Sequence, residues 1–188
     1  MSENIQQART VTSADHGKLD VRALVLLAVL LAAGFILNFT VGKAISGATG
    51  GLISPEFIIS AFCLTILMVR PGPRQALAIG LISAAVIQVT TTSPLIDFVA
   101  EGVAAPVMAL IVRVGMRGRA RRVVPFAGTF VTTVVSGVVF MLVKIAMVGA
   151  AAELAAAMLP VVIASGAFNA ILVQALYLPI RKALKIEG

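Results

Sequence analysis

Long apolar runs separated by short basic or glycine-rich breaks set the rhythm of this chain. Four runs carry no charge and reach the roughly 20 residues a membrane-crossing helix needs: 23–41, 75–96, 123–143 and 154–180. Two further segments are less clean. FIISAFCLTILMV, between Glu56 and Arg70, has only 13 residues, and the stretch from Pro94 to Val112 contains Asp97 and Glu101. The pattern predicts six helices, the second and fourth each compromised at one end.

Composition changes the solvent. With 60% of residues hydrophobic and 12% charged, the chain is too apolar for an ordinary water-soluble domain. The expected class is an all-α integral membrane protein with six transmembrane helices. Residues 21–182 would form the membrane domain, 1–20 a disordered cytoplasmic tail and 183–188 a second cytoplasmic tail. The amino-terminal stretch lacks the basic start and short apolar core of a cleaved signal peptide.

The formal charge of +7 is explained by placement rather than by nucleic acid. With six spans, Arg9, Lys18, Arg22, Arg70, Arg74, Arg113, Arg117, Arg119, Arg121, Arg122, Arg181, Lys182 and Lys185 share one side, and only Lys43 and Lys144 fall on the other. Positive residues stay inside, so both termini are expected in the cytoplasm of a cell-membrane protein. The first, third and fifth helices then run outward, and the second, fourth and sixth run inward. Helix starts at Ser54-Pro55-Glu56 and Ser93-Pro94, with serine as cap and proline in the first turn, would aim free N–H groups at one outer region.

Candidate chemistry gathers in that outer half. Asp97 and Glu56 lie in first turns, where a carboxylate either complements the helix dipole or contributes to a site. Glu101 lies one turn below Asp97 on the same face and roughly 10 Å down the helix. A carboxylate at that depth faces a bundle interior or a wet cavity, either as a ligand site or paired with Lys43 or Lys144. Asn38, Asn169, Gln174 and the run Thr90, Thr91 and Thr92 are further polar groups in apolar surroundings. They can equally be interhelical glue or a capped turn. VGKAISGATGGLISPE between the first two helices holds four glycines in ten residues and reads as a flexible connector or a lid.

Enzymatic chemistry finds little support. His16, the single histidine, sits in the tail, so neither an HExxH zinc site nor a serine–histidine dyad can be built. Ser165-Gly166 lacks the preceding glycine of a membrane-protease motif. Cys63 is the only cysteine, which excludes a disulfide framework and a thiol metal site. There is no phosphate-loop motif, so the chain cannot power transport itself. No metal site or cofactor is expected.

The proline-acid start of the second helix, the Thr-Thr end of the third, the acidic residue in the fourth and LPVVIASGAFNAILVQALYLPI in the sixth resemble the substrate-binding S component of energy-coupling factor (ECF) transporters, most of all the tryptophan-specific members. The likeness spans about residues 22–182. It implies a high-affinity small-molecule binding subunit that works with a membrane coupling subunit and two cytoplasmic ATPases. A small-residue patch, here Ala28, Ala32 and Ala33, would face the coupling subunit. For an amino-acid ligand, Glu101 would pair with the ammonium, helped by Glu56 or Asp97, and helix-start N–H groups would hold the carboxylate. Asn169 would fix a polar edge, with Asn38 and Thr91 bordering the pocket and Phe57, Phe98 and Phe168 supplying apolar walls. A vitamin-binding S component, a stand-alone channel or proton-coupled carrier, and a structural subunit of a membrane complex are the alternatives.

Overall fold

A computed structural model describes residues 19–91, 93–149 and 151–185, with the side chains of Arg119, Ala120 and Ala151 left aside. Residues 1–18 and 186–188 of the expected tails, and with them Arg9, His16 and Lys18, lie outside the described residues, as does Thr92. Every described element is helical. In chain order they are α1 (Val21–Leu37), a π-helical turn (Asn38–Gly42), α2 (Lys43–Ala48), α3 (Phe57–Val69), α4 (Pro73–Ile87), α5 (Ile96–Gly115), a 3₁₀ turn (Arg119–Arg122), α6 (Val124–Val148) and α7 (Ala151–Ala183). The last two residues of the segment read as an amino-terminal tail belong to the fold. The Asp20 carboxylate accepts the Ala23 N–H at 2.8 Å and caps α1, while Leu19 packs on the core.

Helix α3 is the centre of the bundle. All its residues from Phe57 to Met68 are buried, and it packs against α1, α4, α5, α6 and α7. Its sequence explains this. FIISAFCLTILMV is apolar all round, and such a helix belongs where every side has a neighbour. The outer helices instead turn large apolar side chains outward, among them Val25, Val29, Leu142, Ile163 and Ile171. Apolar surface of that extent suits lipid rather than water.

Four helical stretches are long and apolar enough to cross a membrane: Val21–Ala48, α5, α6 and α7. The short helices are α3, with 13 residues, and α4, with 15. Their lengths are roughly 20 and 22 Å at 1.5 Å per residue, against a hydrocarbon core of about 30 Å. This corrects the reading of 75–96 as a full span and of the fourth segment as a compromised one. The apolar run past Ile87 is turned out of the helix by Gln88, whose side chain accepts the Leu95 N–H at 2.9 Å and donates to Asp97 at 3.3 Å. Only half of the glycine-containing connector is irregular, because Lys43–Ala48 is helical and continues α1 through the π turn.

Neither serine-proline pair caps its helix as expected. Helix α3 begins at Phe57, and the Phe57 N–H is taken by Asn38 Oδ1 at 2.9 Å, while the Ser54 N–H donates to Ser165 on α7 at 3.1 Å. Helix α5 begins at Ile96 after Leu95, whose φ of 70° places it in the left-handed region. At α3 a distant side chain has replaced the local cap, and at α5 Gln88 instead takes the N–H of Leu95, the residue before the helix.

The ends of the bundle differ in charge. Arg70, Arg113 and Arg117 meet where α3 and α5 finish and α4 begins. Lys43 and Lys144 stand at the opposite end, with Glu56 and Asp97.

Candidate functional site

The two short helices leave room above them, and the longer neighbours wall it in. The resulting cleft has an outer chamber of about 430 Å³ and a deeper one of about 210 Å³. Ser54, Glu56, Ile87, Asp97 and Phe140 line both, so the chambers adjoin. Small-molecule sites commonly measure roughly 300–1,000 Å³.

Helix α5 supplies the floor. Asp97 and Glu101 are one turn apart, both buried, and both line the deep chamber. Glu101 is 2% exposed. One carboxylate oxygen accepts the Ser136 hydroxyl at 2.8 Å, and the other has no hydrogen-bond partner. The contact of Glu101 is therefore a hydroxyl on α6 and not Lys43 or Lys144. A buried carboxylate with a bare oxygen is costly unless a cation or donor completes it. Close approach of α4 fixes the depth of this group: Gly80 crosses α5 so tightly that a Cβ built there would lie 2.4 Å from the Glu101 carbonyl oxygen. Asp97 is held by Gln88 at 3.3 Å.

Glu56 joins the two chambers. Its carboxylate accepts the Asn38 side-chain amide at 3.1 Å, and its backbone carbonyl accepts from Asn169 at 3.3 Å. Asn38 thus serves two neighbours at once, Glu56 with its Nδ2 and the start of α3 with its Oδ1. Asn169 lies fully buried beneath the cleft, also reaching Thr133 at 3.5 Å, with its own Oδ1 unpartnered. It supports the Glu56 backbone and does not line either chamber. Gln174, one and a half turns further along α7, keeps a buried and unpartnered Oε1.

Two lysines mark the rim. Lys144 donates to Ser93 at 3.4 Å and stands over the Phe140 ring at 5.6 Å, while Lys43 stands over Phe39 at 4.8 Å. The rim is cationic and the floor anionic. Glu56, Asp97 and Glu101 are too dispersed to hold a metal ion together; among the described residues no group of three His, Cys, Asp or Glu side chains does so.

The structure thus brings Glu56, Asp97, Glu101, Asn38 and Thr91 to one cleft. The three expected aromatic walls stand elsewhere. Phe57 and Phe168 pack edge to face at 5.9 Å, and neither they nor the half-buried Phe98 line a chamber. The aromatic lining comes from Phe39 and Phe140 instead. Ala28, Ala32 and Ala33 lie on the exposed face of α1, away from the cleft.

Thr133, Ser136 and Phe140, which line the deep chamber, carry a signal in the sequence. With the buried Thr129 and Thr132 they follow one face of α6 at helical spacing. A polar stripe in an otherwise apolar span points to the bundle interior. Gln88 and Lys144 carry no such pattern, since their partners are distant in the chain. Compared with known proteins, the chain matches no protein family, no curated sequence and no solved structure.

Proposed function

We propose that the cleft binds a small zwitterion and that the chain is the membrane-embedded binding subunit of an importer of the ECF type. The observation that carries this reading is the bare oxygen of Glu101 at the buried end of a cleft with a lysine rim. An ammonium group between Glu101 and Ser136 would supply the missing donor, with Glu56 and Asp97 adding negative potential. A carboxylate at the other end of the ligand would meet Lys144 and Lys43. This differs from a carboxylate held by helix starts, because the first N–H of α3 is already occupied by Asn38.

An amino acid fits this separation of charge. Phe140, which lines both chambers, offers a face to an aromatic side chain such as indole, so tryptophan or a related amino acid is the proposed cargo. The fold supports a membrane protein, and the proposed arrangement is six spans with both termini cytoplasmic and the cleft facing out. Enzymatic activity forms no part of the reading. Energy would come from partner subunits, a membrane coupling protein and two cytoplasmic ATPases, with Ala28, Ala32 and Ala33 on α1 as the proposed docking patch.

Tryptophan titration of the detergent-purified chain tests the assignment, since the protein has no tryptophan of its own. Binding should be saturable and should weaken at least thirtyfold in Glu101→Gln, about 2 kcal/mol for a desolvated charge pair. An unchanged affinity in that variant removes Glu101 from the site. No binding by tryptophan, but binding by another amino acid with the same dependence on Glu101, keeps the zwitterion and replaces the cargo.

A further inference from the structure

At the other end of the bundle a separate pocket of about 250 Å³ is lined by Arg70, Gly72, Val112, Arg113, Met116 and Arg117, among others. We propose that it holds the phosphate of an anionic phospholipid whose acyl chains lie along the outside of α4 and α5.

Three arginines from two parts of the chain line it. Arg113 is in the last turn of α5, Arg117 lies just past its end, and Arg70 follows α3. Among the described residues the carboxylates are Asp20, Glu56, Asp97, Glu101 and Glu153; Asp20 is engaged in capping α1, and none of them lines the pocket. Three cationic side chains around one concavity with no carboxylate in its lining favour an external anion there. Guanidinium forks match phosphate oxygens in geometry and are weakly hydrated, so phosphate is the anion class they recognise best.

Arg70 carries a second signal. It occupies the residue after α3 with φ of 53°, a left-handed position where glycine or asparagine is the ordinary choice. Its N–H caps the Ile66 carbonyl at 2.9 Å, a task glycine would perform without strain. From this position its side chain lines the pocket.

The neighbouring surface selects lipid over a soluble phosphate. Leu110 and Val114 are exposed on α5, interleaved with the arginines at 49% and 75% exposure, and Leu77 and Leu81 on α4 are part-exposed. Gly102 lacks a side chain where Leu77 and Leu81 approach α5, at 3.6 and 3.7 Å from a built Cβ. The two leucines thus pack over α5 at Gly102 and add to the exposed apolar surface that acyl chains would cover. A phospholipid uses both features, whereas inorganic phosphate uses one.

The test compares two pairs of substitutions at this end of the bundle, each removing two charges from exposed positions. Arg113→Gln with Arg117→Gln alters the pocket, and Arg74→Gln with Arg122→Gln alters the surrounding surface. The full chain is placed in nanodiscs of phosphatidylcholine mixed with phosphatidylglycerol, and the lipids that remain bound on release are counted by native mass spectrometry. The unmodified chain should retain phosphatidylglycerol selectively. The pocket pair should reduce that retention about tenfold or more, and the surface pair by no more than about twofold. Equal losses in the two pairs, or no preference for phosphatidylglycerol, would overturn the proposal in favour of diffuse charge. Displacement of the lipid by millimolar inorganic phosphate would overturn it in favour of a soluble anion.

Discussion

Replacing Gly80 by alanine puts one methyl group where the fold has no space for it. The new Cβ would lie 2.4 Å from the Glu101 carbonyl oxygen, 3.1 Å from its carbonyl carbon and 2.8 Å from the Ala105 Cβ. Two of these neighbours are backbone, so no side chain can swing aside. Distances below 3.0 Å are essentially never tolerated, and relief requires α4 and α5 to move apart along their whole contact. Overpacking of this kind costs about 1–3 kcal/mol, against which alanine recovers up to about 1 kcal/mol of helix propensity. A net loss of about 1–2 kcal/mol is expected, and because the clash falls on the residue that carries the buried carboxylate, ligand affinity should fall with it. Gly47→Ala is the control: it is also helical, but nothing lies within 4 Å of its built Cβ, so that change should be neutral or stabilising. Thermal unfolding of both variants in one detergent, followed by circular dichroism, gives the comparison. If Gly80→Ala is as stable as Gly47→Ala, the two helices do not cross in this register and the depth assigned to Glu101 is wrong.

Asn38→Ala should destabilise the chain by about 1–2 kcal/mol, since it removes the cap of α3 and a partner of Glu56 together; an unaltered unfolding temperature would show that α3 is capped in another way. Cys63 is 0% exposed and lies against Thr129 and Thr132, so a membrane-permeant maleimide should leave it unmodified until the protein unfolds. Rapid labelling in the native state would remove α3 from the centre of the bundle. For the proposed orientation, Gly118→Cys should react with an impermeant maleimide only from the cytoplasmic side and Gly47→Cys only from outside. Labelling of both from one side would refute the alternation of spans.

Much of the lining of the candidate cleft was legible because its pattern is local. Asp97 and Glu101 sit four residues apart in an apolar run, and helical spacing alone places them on one face at a predictable depth. The charge difference between the two ends was equally plain, since arginines in short connections keep their side regardless of packing. Helix boundaries were less so. Ser54-Pro55 and Ser93-Pro94 satisfy every local rule for starting a helix, yet α3 and α5 begin two or three residues later. The competing partners, Asn38 for Phe57 and Gln88 for Leu95, come from 19 and 7 residues away. No local rule weighs them.

The early end of α4 is what leaves room for the cleft. Had α4 continued to Ile96, it would have reached the length of a full span and its side chains would have filled part of the outer half of the bundle. Gln88 stands at the end of α4 and Asn38 holds the start of α3. They spend their remaining polar atoms on Glu56 and Asp97, the carboxylates that line the space. Glu101 needs no such tether, because the Gly80 crossing and the Ser136 hydroxyl hold it. Helix ends and the lining of the cleft are therefore linked in this fold, and a substitution at Asn38 or Gln88 should disturb ligand binding and stability together, as should one at Ser136, whose loss would leave the buried Glu101 carboxylate without any hydrogen-bond partner.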